Sequence, residues 1–168
     1  MDKDNNNKHP LWENIFRHKD DHITEVCNLW AETPLFKNIS KSNIRRLVKN
    51  MHPRHYKTDD IVFKTGDIGA GAVLIKSGDI AIKAGDKVLA ILSKGDFFGE
   101  VALAVDEART ADAVANTDCE LIFFLRPDLD EWLHSSPKPG AQLMSNIAKV
   151  LAGRLRHAND MLAQKNDN

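Results

Sequence analysis

Residues 61–125 consist of short apolar runs that are separated by turns containing glycine and aspartate. The runs are IVF, AVLI, DIAIK, VLAIL, AVA and CELIFFL, and the turns are TGD, SGD, AGDK and KGD. Short runs with a glycine turn about every 8–12 residues predict many short strands, and AGDK between two of them predicts a hairpin. Only one short helical stretch, around 99–105, interrupts the pattern, which disfavours a doubly wound parallel sheet. The region therefore predicts a barrel, sandwich or roll.

The segment before the β region predicts helices. Residues 1–9 are polar and asparagine-rich, which predicts a disordered tail. Apolar residues recur at helical spacing within residues 10–33, and Pro34 ends that helical segment. Ser40 is predicted to cap a further short helix that Pro53 ends.

The segment after the β region also predicts helices. Pro127 suits the first turn of one helix, and SSPKPG predicts a break after it. A long helix then follows from about residue 140 to 164. Its apolar residues form a seam with spacings of 4, 3, 4, 3 and 4, which is typical of a coiled coil: Met144, Ala148, Leu151, Leu155, Ala158 and Leu162. The helix either pairs along this seam with a second copy, the interpretation that we favour, or packs wholly on its own domain.

The composition excludes several classes of protein. The chain has 168 residues, of which 42% are hydrophobic and 28% charged, and this suits one globular domain with appendages. Its 23 basic and 24 acidic residues lack the basic excess of proteins that bind duplex nucleic acid. Cys27 and Cys119 stand in no paired motif, which argues against a disulfide scaffold and a zinc finger.

No sequence feature indicates a membrane or an exported protein. The longest apolar runs have about five residues, too few to cross a bilayer. The first residues also lack the apolar stretch of a signal peptide. We therefore expect no membrane segment and a cytoplasmic location.

Residues 94–115 contain the side chains that could bind a ligand. Their sequence is KGDFFGEVALAVDEARTADAVA. Gly99 and Glu100 open a helix-compatible stretch, and Arg109 begins the next extended run. The free N–H groups at a helix start bind anions, and a glycine there lets a ligand approach the backbone. An arginine offers a planar fork to phosphate, and a carboxylate accepts from sugar hydroxyls. The set suits a phosphate joined to a ribose; the alternative is a loop with a surface arginine and glutamate.

Within this segment FGEVAL, five further residues and then RTA resemble the phosphate-binding cassette of the cyclic nucleotide-binding domain family. That family includes catabolite-activator-type regulators, kinase regulatory subunits and gated channels. PLFKNIS, IVFKTGD and VLIKSGDIAI resemble its flanking helix, turns and strands, so the resemblance covers about residues 34–160. It implies a mostly β protein: an eight-stranded antiparallel β-roll of jelly-roll type at 34–136, N-terminal helices, and a lid and dimerisation helix at 137–168.

The resemblance also implies a ligand and a role for individual residues. Arg109 would hold the exocyclic phosphate oxygens of cAMP or cGMP, and Glu100 would accept from the ribose 2′-OH. Three residues would offer backbone N–H groups to the phosphate where Gly99 allows its approach: Val101, Ala102 and Thr110. Three residues would wall the base pocket: Ile82, Leu89 and Ala90. Two residues of the last helix are candidates to cap the base: Arg154 and Leu155.

These features predict a cyclic nucleotide sensor that signals by a helix rearrangement, within a homodimer or to an unknown effector protein. No residue set indicates catalysis, a metal site or a cofactor besides the ligand, and His52 and His55 are interpreted as surface residues. About four residues follow Gln164, so the DNA reader of the family's regulators is not expected. Asp106 and Glu107 bring negative charge into the cassette loop. They motivate the alternative, an adapter that keeps the fold and acts by protein–protein interaction.

One further pattern is interpreted as structural. The glycines of TGDIGAGAV imitate a dinucleotide-binding fingerprint, but that motif requires a helix after it and here a strand follows. We therefore expect an ordinary loop at this position.

Overall fold

The computed structural model describes the backbone of residues 10–166 and the side chains of residues 19–163. Helix α1 (Pro10–Glu32) leads into a single 3-10 turn (Pro34–Phe36) and helix α2 (Lys41–Val48). Ser40 caps α2 as predicted, because its hydroxyl accepts from the backbone N–H of Asn43. The predicted disordered tail at residues 1–9 lies outside the described residues.

Eight strands follow, and all their pairings are antiparallel. The strands are β1 (His52–Tyr56), β2 (Ile61–Phe63), β3 (Gly71–Ser77), β4 (Ile80–Ala84), β5 (Lys87–Leu92), β6 (Phe97–Phe98), β7 (Asp112–Ala115) and β8 (Cys119–Leu125). They form two four-stranded sheets, in the orders β1-β8-β3-β6 and β2-β7-β4-β5. The predicted mostly β fold, an eight-stranded antiparallel roll with flanking helices, is confirmed.

The described residues also form helix α3 (Val101–Ala104), between β6 and β7, and helices α4 (Arg126–Ser135) and α5 (Pro137–Asn166) after β8. Pro127 lies in the first turn of α4, as predicted. The last helix starts at Pro137, as in the segment 137–168 that the resemblance implies and earlier than the residue 140 given by the periodicity, and only Ser136 separates it from α4. Proline is favoured in a first helical turn, so a proline after a helix marks a new start as readily as a break.

The prediction that Pro53 ends a helix is wrong. Helix α2 ends at Val48, and Pro53 lies inside β1, opposite Ile122 of β8. Strand β1 is the edge of its sheet, where a missing backbone N–H does not break a ladder on both sides.

Alternation along β3 divides the core into two layers. Ala72 and Leu74 face the helices, whereas Val73 and Ile75 face the second sheet. On the helical side, Trp30 packs against both Phe36 and Phe124, with ring centroids 5.3 and 6.3 Å apart. These contacts fix α1 and the 3-10 turn on the first sheet.

Helix α5 packs on its own domain with one stripe and leaves the predicted seam largely open. Leu143 and Ile147 are fully buried. In contrast, Leu155 and Leu162 of the seam are 63% and 61% exposed. The first half of the helix is therefore fixed by the core, and the second half presents apolar side chains that nothing in the described chain covers.

Candidate functional site

The cassette segment is held in place by the turn at residues 64–68. The backbone N–H of Gly66 donates to the carbonyl of Arg109 over 2.9 Å, and the N–H of Arg109 donates to Asp67 over 2.8 Å. Ile68 and Ala108 form an isolated β-bridge beside them. The turn TGD therefore fixes the backbone of Arg109 and, with it, the position from which the Arg109 side chain extends.

The Arg109 guanidinium is held by backbone carbonyls and an aromatic ring. Its Nη1 donates to Gly99 over 3.0 Å, and its Nη2 donates to Gly71 over 2.9 Å. Its Cζ lies 4.2 Å from the centre of the Phe63 ring. Burial lowers the pKa of Arg109, and the carboxylates of Glu100 and Asp67 act in the opposite direction. Two of its five N–H groups are engaged, so others are available to an anion.

Glycine is required beside this arginine for two physical reasons. Gly99 has a φ of +72°, and a Cβ there would lie 2.5 Å from Arg109 Nη1. A Cβ on Gly69 would lie 2.7 Å from the Cβ of Ala102. Both positions let the guanidinium lie close against the backbone of its neighbours.

Glu100 is a fully buried carboxylate at the start of α3, with 0% of its surface exposed. Neither of its oxygens has a hydrogen-bond partner among the described residues. Among the described residues it forms an ion pair with Arg154 of α5, whose Nη1 lies 2.8 Å from Glu100 Oε1 without hydrogen-bond geometry. A buried acceptor without a hydrogen bond is costly, so the carboxylate, and Oε2 in particular, is placed to accept from a hydroxyl group.

A second arginine supports the other end of α3. Arg126 donates from Nε and Nη2 to the carbonyl of Ala102, over 2.9 and 2.6 Å. It also donates to the carbonyl of Val105 and pairs with Asp106. Asp106 is thus drawn to Arg126, so its charge is partly neutralised on the outside of the cassette.

Arg109 and Glu100 line a cavity of about 360 Å³ between the cassette, the second sheet and α5. Nine of the predicted site residues line it: Ile82, Ala90, Gly99, Glu100, Val101, Ala102, Arg109, Thr110 and Arg154. Six others join them: Phe63, Leu92, Phe98, Glu107, Ala108 and Ala111. The cavity therefore combines apolar walls with two arginines, Arg109 and Arg154, and with the buried carboxylate of Glu100.

Two predicted site residues do not line the cavity. Leu89 lies where the register between β4 and β5 shifts, between the pairs Ile82–Ala90 and Lys83–Val88, and is 53% exposed. A bulge of this kind adds a residue that the alternation does not account for, so Leu89 faces away. Leu155 is also exposed, and the neighbouring Arg154 is the residue of that turn that enters the cavity.

The backbone adds free donors around the same cavity. The N–H groups of Glu100, Val101 and Thr110 have no backbone carbonyl partner among the described residues. The N–H of Ala102 is used, since it donates to Gly99 over 3.1 Å. Amides, a guanidinium and a carboxylate within one cavity suit an anionic ligand that also carries hydroxyl groups.

Sequence reasoning missed Gly69 and Gly71 as parts of this site. They belong to the glycine-rich stretch that was interpreted as an ordinary loop, yet the Gly71 carbonyl accepts from Arg109 and Gly69 packs against it. Phe63 was also missed. The recurrence of glycine just before a strand was the available signal, but its contact with a side chain 38 positions away is tertiary.

Within residues 10–166, no helix is long and apolar enough to cross a membrane. The described side chains contain no group of three or more histidine, cysteine or acidic residues that could hold a metal ion.

Comparison with known proteins identifies similar chains. Residues 53–136, 84 of the 168, match the family model described as "Cyclic nucleotide-binding domain". A Thermus thermophilus protein named cyclic AMP receptor protein is 30% identical over 131 residues, which are 75% of this chain and 59% of that one. A cAMP-dependent protein kinase regulatory subunit of Schizosaccharomyces pombe is 32% identical over 127 residues, 75% of this chain and 30% of that one. The chain thus spans less than two thirds of both relatives.

Solved structures agree with the fold. The Thermus thermophilus catabolite activator protein aligns with a TM-score of 0.70 and 29% identity, covering 80% of this chain and 63% of that one. A cyclic nucleotide-binding domain from Methylobacillus flagellatus aligns with a TM-score of 0.74, covering 87% of this chain and 85% of that one. At 22% identity, the second likeness concerns the fold alone.

Proposed function

This chain belongs to the cyclic nucleotide-binding domain family, and we propose that it is a regulatory, non-catalytic protein that binds cAMP or cGMP in the cavity beside α3. The observation that carries the proposal is that Arg109 and the fully buried Glu100 line the same cavity, 9 positions apart in the sequence. The relatives named for cAMP support the ligand class. Residues 34–136 would form the ligand-binding roll.

Each contact of the ligand follows from the chemistry of the cavity. The cyclic phosphate would accept from the free N–H groups of Arg109 and from the amides of Val101 and Thr110. The ribose 2′-OH would donate to Glu100. The base would lie against the apolar side chains of Ile82 and Ala90, because an aromatic ring gains most from burial on such surfaces.

Helix α5 would transmit the signal. Arg154 reaches from α5 into the cavity and pairs with Glu100, so a ligand at that carboxylate alters a contact that positions the helix. Residues 137–168 would thus act as a lid. The exposed seam on the same helix would pair with a second copy, which lets ligand binding change the dimer or its contact with an effector protein.

Titration calorimetry with cAMP and with cGMP tests the proposal. A free ligand concentration of about 100 times Kd should stabilise the folded protein by about 2.7 kcal/mol, which a melting experiment also detects. Arg109→Lys should weaken binding by at least about tenfold, because an ammonium cannot reproduce the planar fork. Arg54→Lys is the matched control, since Arg54 also lies over a phenylalanine ring, Phe123, but outside the cavity.

The adapter alternative makes the opposite prediction. Glu107 lines the cavity and would repel a phosphate there, which is the observation in favour of an adapter. An adapter of this fold gives no heat and no melting shift with either nucleotide, in wild type and Arg109→Lys alike. That result would refute the nucleotide proposal.

A further inference from the structure

A second concave surface lies outside the nucleotide cavity, between the 3-10 turn and α5. This surface, which we call the α5 groove, has a volume of about 800 Å³. Lys37 stands on one side of it, Phe97 and Val150 belong to its apolar lining, and Lys149 and His157 stand on α5. Arg154 is the one described residue that it shares with the nucleotide cavity.

The charge of the α5 groove has one sign. Lys37, Lys149, Arg154 and His157 line it, and no acidic side chain does so within the described part of the chain. Among the same residues, the two lysines and His157 form no ion pair, whereas Arg154 Nη1 is engaged by Glu100. Two unpaired lysines in a chain with a net charge of −1 mark a local site for an anionic partner, and the His157 ring adds a hydrogen-bond donor.

The shape of the groove limits what that partner can be. Lys149 and His157 are eight residues apart on one helix, which separates them by about 12 Å along its axis. A single phosphate therefore reaches one of them, whereas a peptide can place carboxylates at both. The apolar lining, Pro34, Phe97 and Val150, requires that the occupant also bury an apolar group.

From this charge complementarity and from the distance between Lys149 and His157 along α5, we infer that the α5 groove docks an acidic, amphipathic segment of a partner protein. The apolar face of the segment lies against Phe97 and Val150, and its carboxylates contact Lys37, Lys149 and His157. Docking itself does not depend on the proposed nucleotide function. If that function holds, Arg154 couples the two sites, because it lines both.

The test uses the full chain without nucleotide and a fluorescein-labelled peptide of about twelve residues, three helical turns, with glutamate and leucine at helical spacing. Fluorescence polarisation should show binding that weakens with salt. A matched peptide with lysine in place of each glutamate should not bind. Lys149→Gln should weaken binding by about threefold to tenfold, whereas Arg156→Gln, an equal charge change on α5 outside the groove, should leave it unchanged.

Several outcomes would overturn the inference. No binding of the acidic peptide, equal binding of both peptides, or equal effects of Lys149→Gln and Arg156→Gln would each do so. Displacement of the peptide by inorganic phosphate alone would assign the groove to small anions instead. Calorimetry with cAMP is run separately on the same protein, so a failure of nucleotide binding with intact peptide binding refutes the proposed function and leaves the docking inference standing.

Discussion

Arg154 Nη1 lies 2.8 Å from Glu100 Oε1, so a side chain of the last helix reaches the buried carboxylate that begins α3. The same guanidinium donates from Nη2 to the carbonyl of Phe97 over 3.2 Å and lies over the Phe97 ring. Arg154 is half exposed, whereas Glu100 is fully buried. The cost of breaking the pair therefore falls mainly on the carboxylate, which would be left charged and unpartnered.

Arg154→Met should lower the free energy of unfolding of the ligand-free protein by about 1–2 kcal/mol. Breaking a buried pair costs about 3–5 kcal/mol, and the half exposure of Arg154 reduces this value. Urea denaturation measures the change. Arg156→Met removes an equal charge from an exposed position on the same helix and should change stability by less than about 0.5 kcal/mol. Equal stability of the two variants would show that the ion pair contributes nothing to the fold.

The two acidic residues of the cassette loop should behave differently. Glu107 lines the cavity, so Glu107→Gln should tighten cAMP binding by about threefold to tenfold, as expected when a like charge near the phosphate is removed. Asp106 pairs with Arg126, so Asp106→Asn should leave affinity unchanged or weaken it. Calorimetry on both variants decides the matter. A similar gain in affinity from both substitutions would contradict these positions.

Local patterns predicted the strands better than the contacts between them. The run CELIFFL coincides with β8 and IVF with β2, because turn or bend residues precede each apolar run. Strand β1 was missed because Pro53 was interpreted without knowing that the strand lies at an edge. The cassette motif placed Gly99, Glu100 and Arg109 in one site, and all three line the same cavity.

The remaining misses concern contacts between distant parts of the chain. The place of Gly69 and Gly71 against the Arg109 side chain depends on how the loop at residues 64–70 folds onto the cassette. Leu89 illustrates a different limit. The family resemblance placed it in the wall of the base pocket, but the register shift between β4 and β5 leaves it outside the cavity.

Gly99 and Gly153 should respond in opposite ways to alanine. At Gly99 the positive φ costs about 1–2 kcal/mol, and the added Cβ displaces the Arg109 guanidinium, so both stability and nucleotide affinity should fall. At Gly153 a Cβ meets nothing within 4 Å, so alanine should stabilise α5 by up to about 1 kcal/mol. Thermal melting and calorimetry of the two variants provide the comparison. Unimpaired binding by Gly99→Ala would show that the arginine position is not critical.

The attachment of α1 to the first sheet should weaken in mild acid through His22. Its Nδ1 lies 3.0 Å from Lys76 Nζ and 3.6 Å from Glu120 Oε1, and Glu25 and His55 also face it. Burial, followed by Lys76, lowers the pKa of His22 below its ordinary 6.5, against the opposing effect of the two glutamates.

The folded protein therefore binds this proton less readily than the unfolded chain. The resulting stability is present above pH 6.5 and is lost as the pH falls through 6.5 towards the lowered pKa. Urea denaturation at several pH values between about 8 and 5 measures the loss, which His22→Gln should reduce. The pKa of Glu25 is lowered from 4.5, mainly by its hydrogen bond with Lys94, so its own contribution is lost only below this window. Identical pH dependence in wild type and His22→Gln would contradict the assignment to His22.

The exposed seam of α5 predicts that the protein forms a dimer and that charge on the seam abolishes it. Leu155 and Leu162 lie seven residues apart with more than half of each side chain exposed, so a second copy in parallel register would bury both. The double substitution Leu155→Glu and Leu162→Glu places like charges opposite each other and should yield the mass of a single chain, 18.8 kDa, by light scattering. Wild type should show twice that mass. Arg156→Glu, on the same helix but off the seam, should stay dimeric; a monomeric wild type, or a dimeric double variant, would exclude pairing through the seam.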